Sequence, residues 1–202
     1  MGLTDRRDRN FKRREEDILN SAFDLFADHG IESVTIDMIA EAAEVGKGTI
    51  YKHFTGKNDI FASLVIRQGY GLLKALGRLD TTVPVVNQIK KMIRVFWESH
   101  ASDMKTFEIN RKCHQLVVED DLPEPLLAEF TRLNNLKKKF ARTLFQQAID
   151  EEIFMDVDVD NLIVASMGLY IGMLDVVLED RIQPSEELYA LLENMIFRGF
   201  MR

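Results

Sequence analysis

One cysteine, Cys113, stands in 202 residues. A single thiol excludes an intrachain disulfide framework and fits a reducing cytosol, so a cytoplasmic protein is expected. Proline is scarce too, with four in all, and no Gly/Ser-rich tract or strictly alternating apolar–polar segment is long enough to argue for a sheet. The opening MGLTDRRDRNFKRREE lacks the apolar centre of a secretory signal, and Arg6 stands where a myristoylation signal at Gly2 needs Ser or Thr. No internal repeat is present. What remains is 46% hydrophobic and 29% charged, a globular composition with ample length for one large domain or two small ones. Apolar residues recur at three- and four-residue spacing, and the fold class expected is all-α, with about nine helices.

Catalytic signatures are missing as well. There is no Glu-x-x-His to build a di-iron bundle, and no Walker loop, zincin motif or nucleophile elbow. DVDVD at 156–160 begins like a calcium loop, but Asn161 replaces the required Gly and Met167 the terminal Glu. Its plain role is helix capping by Asp158 or Asp160. No enzyme activity, cofactor or metal is expected. The longest apolar run, LIVASMGLYIGMLDVVL at 162–178, carries Ser166 and Asp175 and is short for a bilayer. It reads as a buried helix.

The formal net charge of −7 argues against indiscriminate binding to nucleic acid. Charge is unevenly spread, however. Arg or Lys at positions 6, 7, 9, 12, 13 and 14 face only Asp5 and Asp8, making residues 1–14 a basic arm. Such an arm is a solvated run or a minor-groove reader.

Helical periodicity starts near residue 11 and carries Ile18, Leu19, Ala22, Phe23 and Phe26 on one stripe to a stop at Gly30. Thr35 then reads as the N-cap of a short second helix, with Val34 and Ile39 spaced as a hydrophobic staple. A third short helix follows from Gly46, with Val45 and Ile50 repeating the staple, until TGK at 55–57 breaks it. A long helix runs over 58–79. Two short helices joined by a tight turn, held between longer ones, are the pattern of a helix-turn-helix. Later helices are expected over 85–100, 104–119, 124–150, 160–179 and 185–200, with breaks at Pro84, Asp103, Pro123, 155–160 and Pro184.

In the third helix Lys47, Gly48, Tyr51 and Lys52 share an outward face, Thr49 and His53 flank it, and Ile50 and Phe54 point inward. A lysine donates to guanine O6/N7 or to phosphate, and the hydroxyls donate to phosphate. Gly48 leaves room for close approach of the backbone to base edges. Thr35 and Lys57 head neighbouring helices and are candidates for the same strand. An isolated pair of lysines would read as a solvated surface. Here the residues come in an ordered series: Leu25, Phe26, Gly30, Thr35, Ile39, Ala40, Ala43, Val45, Lys47, Gly48, Thr49, Ile50, Tyr51, Phe54 and Lys57. This series resembles the DNA-binding domain of the TetR family of bacterial transcriptional regulators over about the first third of the chain. Two departures stand out. Glu44 occupies the usual Gly of the turn, at a cost of about 1 kcal/mol if left-handed, and Gly46 replaces the usual Ser or Thr cap, at a few tenths of a kcal/mol.

The resemblance implies a head at 1–57 that binds double-stranded operator DNA, and a ligand-binding and dimerisation body at 58–202. A repressor released by a small, largely apolar effector is the expected function. The alternative is a helical small-molecule sensor with a vestigial head. Candidates for the implied ligand cavity are Phe96, Trp97, His100, Met104, Phe107, Arg111, His114, Phe130, Met167, Tyr170 and Met173, most of which would serve equally as core. The last helix is apolar on more than one side, and Ala165, Gly168 and Gly172 on the preceding one admit a close backbone. A homodimer through Ala165, Gly168, Gly172, Leu188, Leu192, Met195 and Ile196 is expected.

Overall fold

The computed structural model describes residues 3–101, 105, 107–109, 111–112, 122–179 and 182–202. Among these there is no strand and one isolated antiparallel bridge, Phe154 to Met201, so the fold is all-α as expected. Eight helices have defined bounds: α1 Leu3–His29, α2 Ile36–Ala42, α3 Lys47–His53, α4 Lys57–Leu76, α5 Val85–Ala101, α6 Glu124–Asp150, α7 Val159–Glu179 and α8 Glu186–Phe200. Residues 105, 107–109 and 111–112 are also helical, where the periodicity predicts a helix over 104–119. Helix α1 starts about two turns earlier than the apolar stripe suggests. The basic arm contains neither Pro nor Gly between Leu3 and His29, so nothing stops the helix from continuing through it.

The chain divides into two compact units within α4. One comprises Met1–Gln68 and Glu108–Phe130, the other Gly69–Phe107 and Thr131–Arg202. In the first unit, Ile18, Leu19, Ala22 and Phe26 of α1 close on Val34, Ile39, Ile50 and Phe54, and on Ile60, Phe61 and Leu64 of α4. Ile109, Leu122 and Phe130 complete this core. Helix α1 ends as expected at Gly30, whose φ is +75°, with its N–H donating to the Phe26 carbonyl at 3.0 Å.

In the second unit α5 is clamped to α8. Arg94 lies 3.4 Å over the Tyr189 ring and binds both carboxylate oxygens of Glu186 at 2.8 Å. Trp97 and Tyr189, Phe145 and Phe154, and Leu174, Leu192 and Ile196 share one core. At Gly69 an added Cβ would sit 2.2 Å from Leu133 Cδ2, so any larger residue there would force the Leu133 side chain to move. The bridge at Phe154 is reinforced by Met155 N–H donating to Phe200 O at 2.8 Å and Arg202 N–H donating to Ile153 O at 3.1 Å. Asp158 caps α7 by accepting from the Asp160 N–H at 2.7 Å.

Two expectations for the last helices are corrected. The 162–178 run is not buried within one chain. Only about 22% of α7's most apolar stretch is covered, and by length and composition α7 is apolar enough to cross a membrane. Leu192 and Ile196 of α8 are 0% and 3% exposed, so they fill the chain's own core rather than facing outward, and Leu188 is half-buried. Their stripe and the outward one overlap on the helical wheel, which is why spacing alone misassigned them. The outward apolar positions are Leu191 and Met195 on α8, and Val164, Ile171 and Val176 on α7, beside exposed Ala165, Gly168 and Gly172.

Candidate nucleic-acid interface

The turn that sets α3 against α2 closes in a Schellman motif. Val45 N–H donates to Ala40 O at 2.9 Å and Glu44 N–H to Glu41 O at 3.0 Å, with Glu44 at φ +52°. Glu44 therefore does take the left-handed position where glycine is free of strain. Thr35 is the N-cap of α2, its hydroxyl accepting from Met38 N–H at 3.3 Å. Gly46 caps α3 with extended geometry and no side-chain bond.

Helix α3 sorts its residues by face. Ile50 and Phe54 are 0% and 3% exposed and belong to the core, while Lys47, Gly48, Tyr51 and Lys52 are exposed and Thr49 is half-buried. No atom lies within 4 Å of where a Cβ would stand on Gly48, so the protein itself makes no use of the missing side chain. Lys47 Nζ lies 2.8 Å and 3.0 Å from the two carboxylate oxygens of Asp37 on α2. Its hydrogen bond to that carboxylate, and then the charge itself, raise the lysine's pKa. Asp37 was not singled out from sequence. As an acid in the first turn of α2 it reads as an ordinary helix-start residue.

Two candidates are engaged within the unit. Lys57 Nζ donates to Ile31 O at 2.9 Å and Glu32 O at 3.5 Å, fastening the α1–α2 connection. An ammonium has three donors, so one remains. His53 has a side chain only 4% exposed. Its ring stacks on Phe11 with centroids 3.9 Å apart, and Glu15 Oε2 lies 3.9 Å from Nδ1.

The ligand candidates divide. In the second unit Phe96, His100, Phe107 and Tyr170 form an aromatic cluster with centroid separations of 6.0 to 6.4 Å. The Phe96 carbonyl gathers donors: Tyr170 Oη at 2.8 Å, Ser99 Oγ at 2.8 Å and His100 Nδ1 at 2.9 Å. Burial holds the His100 pKa below its ordinary value and raises that of Tyr170. Trp97 is buried and Met173 half-buried in the same core, whereas Met167 is 43% exposed on α7. Phe130 is buried in the core of the other unit, to which exposed Arg111 also belongs. Met104 and His114 lie outside the described residues. Sequence reading passed over Lys137 of α6. It is half-buried, no carboxylate pairs with it among the described residues, and desolvation pushes its pKa down to about 8. One lysine in a run of three, Lys137 to Lys139, carries no signal of that burial.

Comparison with known proteins extends the resemblance beyond the head. Residues 18–64 match the family model described as bacterial regulatory proteins, tetR family. The HTH-type transcriptional regulator YdeS of Bacillus subtilis (strain 168) is 30% identical over 151 residues, covering 71% of this chain and 69% of that protein. The probable acrEF/envCD operon repressor of Escherichia coli (strain K12) is 39% identical over 57 residues, 28% of this chain and 26% of that one. Among solved structures, a transcriptional regulator from Saccharomonospora viridis, determined in complex with choline, superposes with a TM-score of 0.78 at 18% identity, covering 95% of this chain and 99% of that one. These relatives are regulators rather than enzymes. The exposed cationic face of α3, the helix-turn-helix that carries it and a relative matched over two thirds of its length converge: this chain belongs to the TetR family of bacterial regulatory proteins, transcriptional regulators with a DNA-binding helix-turn-helix head and a ligand-binding C-terminal domain.

Proposed function

We propose that this protein is a repressor that binds a near-palindromic operator as a homodimer and leaves it when a small, largely apolar effector binds the C-terminal domain. Repression is typical of the family, whose members bind operator DNA as dimers and respond to small molecules in the cytoplasm. The observation that carries the reading is the division of α3. Its buried side anchors the helix, and its open side offers two cations, a phenol and a bare backbone. Two copies would enter successive major grooves about 34–36 Å apart. In this reading residues 1–57 act as the head and 58–202 as the effector and dimerisation body.

Thr35, Lys47, Gly48, Thr49, Tyr51, Lys52, His53 and Lys57 are the proposed DNA contacts. Lys47 reads bases by exchanging Asp37 for guanine, whereas Lys57 divides its donors between the α1–α2 connection and a phosphate. The dimer forms through the outward apolar faces of α7 and α8, which include Ala165, Gly168, Gly172 and Met195. The cluster of Phe96, His100, Phe107 and Tyr170 walls the effector site, and the half-buried ammonium of Lys137 favours an effector with an acidic end. Helix α4 contributes residues to both units and is the proposed link between effector and head. Taking such a switch from 1:99 to 99:1 requires about 5.5 kcal/mol of differential ligand affinity.

Salt-titrated binding to the DNA upstream of the protein's own gene, with footprinting, tests the contacts. Lys47→Ala should relax base preference at one position, costing ~1–3 kcal/mol, and Lys52→Ala should weaken all sequences and flatten the salt dependence. Wild-type affinity in both variants would refute the assignment of α3 as the reading helix.

A further inference from the structure

We propose that the N-terminal extension of α1 and the end of α3 jointly seat a backbone phosphate of DNA lying outside each half-site, in the cavity bounded by Arg7, Arg14 and His53. This rests on the operator-binding reading above and extends the DNA contact beyond α2, α3 and the start of α4.

Four observations carry it. First, the inward stripe of α1 does not end where the core ends. Arg7, Asn10, Phe11 and Arg14 continue on a shared face at i, i+3, i+4 and i+7, so a helical surface that buries Ile18 and Ala22 farther along becomes cationic. Second, apart from Phe11 that face opens onto solvent. Arg7, Asn10, Phe11, Arg13, Arg14 and His53 line an open cavity of about 390 Å³. Third, the arm is held in place: Phe11 stacks on His53 at 3.9 Å, which ties the extension to the end of the reading helix. Fourth, a polar group at the cavity wall is left short of a hydrogen bond. The His53 side chain is 4% exposed, and its Nδ1 has no hydrogen-bond partner, the Glu15 carboxylate standing off at 3.9 Å. Among the described residues, Arg7, Arg13 and Arg14 make no ion pair or side-chain hydrogen bond either.

Charge complementarity identifies the occupant. Three exposed guanidinium groups in an open cavity hold a lone small anion poorly, because water and salt screen each contact. A DNA strand differs, since it brings a fixed series of phosphates and releases counterions as each is neutralised. Arg7 and Arg14 stand about 10 Å apart along the helix axis, at 1.5 Å per residue, a gap that two arginine side chains can close from either side on one phosphate. Guanidinium also offers the bidentate geometry that phosphate oxygens accept.

The experiment uses the full-length protein and a palindrome that it enriches from a random duplex library. That palindrome is made in two lengths, one ending flush with the outer edges of the half-sites and one extended by ten base pairs on each side. Arg7→Ala/Arg14→Ala is compared with wild type by anisotropy across a salt series, and Arg7→Lys/Arg14→Lys serves as the charge-retaining control. On the extended duplex the alanine variant should show a slope of log K against log salt shallower by about 1.8, from ~0.9 per phosphate at two half-sites. Wild type should then lose about 12-fold more affinity than the variant between 50 and 200 mM salt. The difference should vanish on the flush duplex, and the lysine variant should recover most of it. Equal slopes on the extended duplex, in a variant with unchanged circular dichroism and sedimentation, would overturn the proposal. So would an equal difference on both duplexes, which would mark a diffuse charge effect. If wild type enriches no palindrome, the operator reading itself fails and this seat falls with it.

Discussion

Replacing Gly48 with alanine should move stability and DNA affinity in opposite directions. Gly48 lies inside α3, where glycine is less stable than alanine by roughly 0.5–1 kcal/mol because it loses more backbone freedom on folding. Nothing within 4 Å of the new methyl group opposes it, so the variant should gain most of that difference. At about 2–4 °C per kcal/mol for a chain of this size, the expected rise in Tm is about 1–4 °C. The same methyl group would stand on the exposed face between Lys47 and Tyr51, where the proposed complex brings base edges close to the backbone. Overpacking of this kind costs about 1–3 kcal/mol, a loss of roughly 5- to 150-fold in operator affinity at fixed salt. Differential scanning fluorimetry of the free protein and anisotropy on the operator would measure the two effects separately. A lower Tm would show that the site is packed after all. Unchanged affinity beside a higher Tm would show that Gly48 never approaches DNA, and the reading of α3 as the groove helix would lose its main geometric support.

Glu44→Gly removes the left-handed strain at φ +52°. It should stabilise the free protein by about 0.5–1 kcal/mol after allowing for glycine's greater chain entropy, read as a higher Tm; a fall would mean that the Glu44 side chain makes a compensating interaction. Ile171→Glu, on the outward face of α7, should convert a dimer into monomers in sedimentation while leaving helical content intact. In contrast, Leu192→Ala, at a position 0% exposed within one chain, should cost ~2–5 kcal/mol of stability. A dimeric Ile171→Glu protein would move the interface elsewhere.

The parts that were legible in the sequence are those whose constraints are local. Thr35, the turn through Glu44 and the cap at Gly46 each depend on neighbours within five residues, and the alternation of Ile50 and Phe54 with Lys47, Tyr51 and Lys52 follows from helical spacing alone. The head could therefore be drawn almost residue by residue. What the sequence did not disclose were relations between distant positions. Asp37 meets Lys47 across the turn, Lys57 reaches back 26 residues to Ile31, and Phe11 meets His53, 42 positions along the chain. None of these pairs has a spacing that marks it. The last two helices fail for another reason. Periodicity separates core from surface only when one face is polar, and α7 carries apolar or small residues on nearly every side. Its mean hydropathy of 1.8 with about 22% burial means that its pattern encodes two apolar faces at once, one satisfied by Leu174, Val177 and their neighbours and one still open. A helix of that kind specifies its own core and its partner in a single stripe, and only the fold tells which residue serves which. That is why Leu192 and Ile196 belong to the core, while Leu191 and Ile171 are left exposed on the faces proposed for a second copy.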